Sequence, residues 1–169
     1  MSDPNKTPDQ NQSSQPTPQQ SSAWLWIITM VYGLHVMEEH AFNWAAWANT
    51  VGLAYTWTDF YITNSEVILF GACAAAIGWR MPTMSLAFPA LALVNGLIFH
   101  ALPTLIQRRP NPGALTALLL FLPIGFYIFR TVLKQRLASR REIFGAFTIA
   151  IGAQLFPLIL LKLQPLLSY

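Results

Sequence analysis

The sequence predicts an all-α integral membrane protein, a bundle of about five transmembrane helices preceded by a disordered polar tail, and two observations carry that reading. Of the 169 residues, 54% are hydrophobic and 10% are charged, whereas soluble domains average about 25% charged. The apolar residues also gather in stretches near Trp24–Trp44, Phe60–Trp79, Met84–Ile106, Leu115–Leu133 and Ile143–Leu161. Each is close to the roughly 20 residues that cross a hydrocarbon core. A single membrane domain over residues 23–169 holds all of them.

Residues 1–22 are Gln, Ser, Pro, Asn, Thr and Asp with almost nothing apolar, too little to offset the entropy of ordering, so a disordered tail is expected. They lack the basic end and short apolar core of a signal peptide, so the first helix should stay attached. Between the stretches lie turn-like separators: Arg80-Met81-Pro82-Thr83, Arg108-Arg109-Pro110-Asn111-Pro112-Gly113, and a basic link with Lys134, Arg136, Arg140 and Arg141. Residues 45–59, with Trp47, Tyr55 and Trp57, read as an interfacial segment able to roof whatever lies beneath. Pro89, Pro123 and Pro157 fall inside stretches, which membrane helices tolerate because neighbours re-satisfy the freed carbonyls. No internal repeat stands out, which weighs against an inverted-repeat transporter.

Net charge is +3, but the basic residues sit at helix ends rather than in one patch, so no nucleic-acid partner is expected; membrane lipids are. With the N-terminus inside, Lys6, Arg80, Lys134, Arg136, Arg140 and Arg141 face the cytoplasm, against Arg108, Arg109 and Lys162 outside. The positive-inside rule then favours a cytoplasmic N-terminus and an outer C-terminus in a plasma (inner) membrane. All six tryptophans fall near helix ends under this arrangement, as interfacial belts require. The lone Cys73 reads as small packing filler, and the run Gly71–Gly78 around it as a close-packing face.

The first stretch contains His35-Val36-Met37-Glu38-Glu39-His40. At 100° per residue Glu38 lies about 60° to one side of His35 and Glu39 about 40° to the other, so these three share a face and His40 leaves it. An ionised group at mid-membrane costs about 2.5–3.5 kcal/mol on insertion scales, so partners are needed from other helices. The second stretch offers Asn64, Ser65 and Glu66, the third Asn95 and His100. Counting about 1.5 Å per residue, all of these fall in the outer half of the bilayer. Asn95 and His100 are about 140° apart on an ideal helix, so both face one site only if the helix is locally distorted.

Imidazole nitrogen and carboxylate oxygen suit Zn, Fe or Mn. The expected metal ligands are His35, Glu38, Glu39, Glu66 and His100, with Asn95 added as a site residue. The same groups without metal form an acid–base pocket, since adjacent carboxylates repel and one is pushed to hold its proton. Either arrangement fits a metal-dependent hydrolase, isomerase or oxidoreductase acting on an apolar or lipid-like substrate. The alternatives are a proton- or cation-coupled transporter or channel using the same residues, and a structural or accessory subunit whose cluster is only an interhelical hydrogen-bond network.

The string His35-Val36-Met37-Glu38-Glu39, followed by Asn95 and His100 on a later helix and by Pro112-Gly113 before another apolar helix, resembles the HXXEE-domain membrane proteins over roughly residues 30–130. Where relatives often carry an aromatic two residues before the Pro-Gly, this chain has Pro110. The resemblance implies a helical membrane domain with His35, Glu38, Glu39, Asn95 and His100 as motif residues, and gives no reaction.

Overall fold

The computed structural model describes residues 18–167, which are helical with no strand among them. The tail expected over residues 1–22 lies outside the described residues up to residue 17, and residues 18–22 belong to the first helix. The elements are α1 (Pro18–Ala41), α2 (Trp44–Thr50), α3 (Trp57–Ile77, extended by a 3-10 turn Gly78–Arg80), α4 (Pro82–Gln107), α5 (Ala114–Gln135) and α6 (Arg140–Leu167).

Their starts have local causes. The Thr56 hydroxyl accepts the Asp59 N–H while the Asp59 carboxylate accepts the Thr56 N–H, so two otherwise orphaned donors are satisfied where α3 begins. Ser139 and Glu142 do the same for α6. Pro82 opens α4 at a position where a missing N–H costs nothing. Asn43, in the left-handed region, ends the run of α1 and caps α2 through its side chain.

Four helices among the described residues are long and apolar enough to cross a membrane: Trp57–Arg80, Pro82–Gln107, Ala114–Gln135 and Arg140–Leu161. The expected fifth crossing is α1, which has the length at 24 residues but gives its second half to His35, Glu38, Glu39 and His40. The bundle is apolar outside: Met30, Leu105, Leu119 and Phe144 are 63–76% exposed, whereas His35 and His100 are wholly buried. That inversion of the water-soluble pattern is what a hydrocarbon solvent selects.

Helix α4 is the central post, with every residue from Ser85 to Leu93 buried. It touches α1, α3, α5 and α6. Such crowding needs small residues on its neighbours: α3 brings Gly71, Ala74 and Ala75, and α5 brings Gly125. A Cβ added at Gly71 falls 2.6 Å from the Phe88 ring, and one at Gly125 falls 2.6 Å from Leu93. The expected packing face over Gly71–Gly78 is therefore real at its buried positions. Cys73, read from the sequence as packing filler, is instead exposed. It stands about 200° round the helix from Gly71, on the face turned away from α4.

Gly71→Val is expected to destabilise the protein by about 1–3 kcal/mol, the usual cost of overpacking a tight contact. Gly33→Ala, where an added Cβ meets nothing within 4 Å, should be neutral or stabilising by up to about 1 kcal/mol through helix propensity. Denaturant titration of both variants in mixed micelles checks the contrast.

Candidate metal centre

Among the buried residues of α1, Leu25, Ile28, Tyr32, His35 and Glu39 form one stripe at alternating three- and four-residue spacing, flanked by Thr29 and Val31. The stripe is apolar at its start and polar at its end. Phe121 underlies the polar end, its ring 4.6 Å from the His35 imidazole and stacked at 5.8 Å on Tyr32.

His100 arrives from α4 by a distortion of that helix. Residues Asn95–Ala101 form a π-helical segment, in which hydrogen bonds reach five residues back and the turn is wider. The fifth residue along therefore returns closer to the starting face, and Asn95 and His100 are both buried towards α1. This is the distortion that their ideal separation demands. A second π-helical segment, Ala117–Phe121, lies in α5 against the first.

His35, Glu39 and His100 present ligand atoms that all lie within 4.8 Å of one another. The His35 Nε2 stands 3.4 Å from Glu39 Oε1 and the His100 Nε2 stands 3.6 Å from the same oxygen. These separations exceed ordinary hydrogen bonds of about 2.7–3.2 Å, and neither Nε2 has a hydrogen-bond partner. The two rings meet edge to face, with centroids 4.7 Å apart.

The opposite ring nitrogens have side-chain partners of their own. Asn111 donates its amide N–H to the Phe99 carbonyl at 2.7 Å, so its Oδ1, 3.2 Å from His100 Nδ1, accepts from that nitrogen. Thr116 Oγ1 lies 2.8 Å from His35 Nδ1 and 3.3 Å from the Gly113 carbonyl, so when its hydroxyl turns to Gly113 it accepts from His35 Nδ1. With both Nδ1 atoms protonated, each neutral imidazole turns a lone pair at Nε2 towards Glu39. In that state two lone pairs and a carboxylate oxygen converge.

The loop after α4 closes the centre. Gly113 has φ 86°, which favours glycine, and a Cβ there would fall 2.6 Å from His100, 2.7 Å from His35 and 2.8 Å from Glu39. Glu38 holds the loop from the other side, its carboxylate accepting the Leu115 N–H at 3.0 Å and the Thr116 N–H at 2.7 Å. Those are unpaired donors of the first turn of α5, where negative charge is favoured.

Of the residues expected from the sequence, the structure brings His35, Glu39 and His100 together, with Asn95 beside them. Glu38 corrects the expectation of a ligand, because both of its oxygens are committed to α5. Glu66 is a second correction: it is exposed on α3, lining a separate groove with Phe156 and Pro157. Asn64 in the same turn is the buried one, accepting the Tyr32 hydroxyl at 2.8 Å, and Glu66 two residues on is turned about 200° away. His40 leaves the cluster as expected, exposed and 3.1 Å from the Tyr61 hydroxyl. The expected roof is present, since Trp44, Leu53 and Tyr55 line the cavity next to Glu39 and His100. Sequence reasoning missed the roles of Asn111, Thr116 and Gly113. Only the Pro112-Gly113 turn signalled that this loop mattered.

No curated protein and no solved structure matches the chain. A family model described as "Protein of unknown function with HXXEE motif" matches residues 26–128, more than half of the chain. The motif stands inside that match as His35, Glu38 and Glu39, two of them in the cluster and the third tying down the loop that covers it. The chain belongs to this HXXEE family.

Proposed function

We propose that His35, Glu39 and His100 hold one divalent metal, Zn, Fe or Mn, and that the protein is a small membrane-embedded enzyme acting on an apolar or lipid-like substrate. The observation that carries this is the convergence of two imidazole nitrogens and a carboxylate oxygen in a buried place, all within 4.8 Å of one another. Acceptors facing one another in low dielectric repel, and only a cation or added protons relieve them. For a tetrahedral ion bound at 2.0–2.1 Å, ligand atoms stand about 3.3 Å apart, close to the two Glu39 separations of 3.4 and 3.6 Å. Two imidazoles and one carboxylate form a donor set used by catalytic zinc and by non-haem iron, each keeping a position open for water or substrate.

Asn111 and Thr116 orient the two rings, as outer partners of metal-bound histidines do. An ion held here would supply Lewis-acid polarisation or activation of water. Support for an apolar substrate comes from a groove of about 460 Å³ beside the loop, lined by Phe42, Leu115, Leu118 and Leu119 with Glu38 and Asn111 at its polar edge. A metal-free acid–base pocket or proton relay is the second reading, because protons also satisfy converging acceptors.

Purified in detergent, the wild type should carry about one equivalent of metal per chain by elemental analysis, as one three-ligand group among the described residues implies. His35→Ala, Glu39→Gln and Gly113→Ala should each lose it while remaining folded by circular dichroism. A wild type that binds no added Zn, Fe or Mn would leave the proton reading standing and end this one. Asn111→Leu and Thr116→Val should keep the metal with affinity lowered by about 10–100-fold in chelator competition; an unchanged affinity would remove their orienting role.

In the orientation with the N-terminus inside, the loop from Arg108 to Gly113 lies on the outer face. Arg109→Cys in a Cys73→Ser background should then react with an impermeant maleimide in intact cells. Reaction only after permeabilisation would reverse the orientation.

A further inference from the structure

A cavity of about 60 Å³ adjoins the cluster on the side of α3 and α6, with Glu39, Asn95, His100, Thr63, Tyr55 and Gln154 among its lining. Water needs roughly 10–15 Å³ of such volume, so the cavity takes a few waters or one small molecule. Asn95 is 8% exposed and its Oδ1 has no hydrogen-bond partner. Tyr32 and Asn64, which also line the cavity, are satisfied, Tyr32 donating to Asn64, which donates in turn to the Phe60 carbonyl. Asn95 follows a run of buried residues from Ser85 to Leu93 that contains no other amide.

An unsatisfied buried acceptor costs about 1–3 kcal/mol, and a leucine of similar shape would avoid that cost, so the amide is there for something that is not protein. The groups at this wall of the cavity fix the chemistry of that occupant. Asn95 Oδ1, the Glu39 carboxylate and the His100 Nε2 all accept, which disfavours an anion and selects a hydrogen-bond donor. Asn95 and His100 of the π-helical segment line this one cavity together with Glu39.

We infer that this cavity is a water site built into the centre: a metal-bound water, or a small hydroxylic molecule in its place, sits at the open coordination position and donates to Asn95 Oδ1. The inference rests on the metal reading above and assigns Asn95 as the positioning residue for the exchangeable ligand. Coordination to a cation makes water a stronger donor, which matches an amide oxygen as its partner.

The test uses full-length protein loaded with Mn(II) in detergent, and reads directly bound exchangeable water by electron spin-echo modulation in D2O. The wild type is expected to show the deuterium modulation of a bound water. Asn95→Leu, which fills the space and offers no acceptor, should bind manganese in the same ratio and lose that modulation. Asn95→Asp, which keeps an acceptor oxygen, should restore it. If the leucine variant does not fold, Asn95→Val removes the acceptor with less bulk and is read in the same way. Full modulation in the folded apolar variant, or a wild type that binds manganese without bound water, overturns the inference and leaves the metal centre intact. A wild type that binds no manganese or any other divalent metal overturns both.

Discussion

Everything in this bundle is arranged around the difficulty of holding a carboxylate and two imidazoles out of water with their acceptor atoms towards one another. A soluble protein would let solvent into such a place. Here α1 and α4 deliver the three groups from opposite sides, Gly113 presses on them from the loop, and Phe121 seals them from below. Each outward ring nitrogen has a side-chain partner, Thr116 or Asn111, and the inward nitrogens face Glu39.

The HXXEE string accordingly divides into different jobs. His35 and Glu39, four residues apart, follow one another along the buried stripe of α1. Glu38, one position before, points sideways to the start of α5 and binds two of its backbone N–H groups. Adjacent acids would repel if both faced the same ion; the 100° between consecutive residues separates them. One secures the framework while the other faces the two histidines.

Much of the fold was legible in the sequence because hydropathy and turn residues report directly on a membrane bundle. The apolar stretches, their separators and the roof between α1 and α3 could all be placed before any coordinates. The cluster was legible in part. Depth along each helix could be counted, and that located His35, Glu39, Asn95 and His100 at one level. Azimuth could not be counted where no single helix supplied a reference, which is why Glu66 was grouped with a site it faces away from. Glu38 was misassigned because its partners are backbone N–H groups, and no residue type advertises them. Asn111, Thr116 and Gly113 escaped for a related reason: their roles depend on how a loop folds back over two helices, a long-range event that local patterns do not encode.

The π-helical segments carry a further lesson. A helix that departs from the usual ladder holds, in effect, one residue more than its path requires. Removing any single residue between Asn95 and Ala101 would let α4 revert to better-bonded geometry and would swing one end of the segment round by about a quarter turn. The chain would gain regularity and disband its cluster at one stroke. Homologues can therefore be sorted by alignment gaps alone: a one-codon loss in that window marks a protein that keeps the architecture and gives up the cluster.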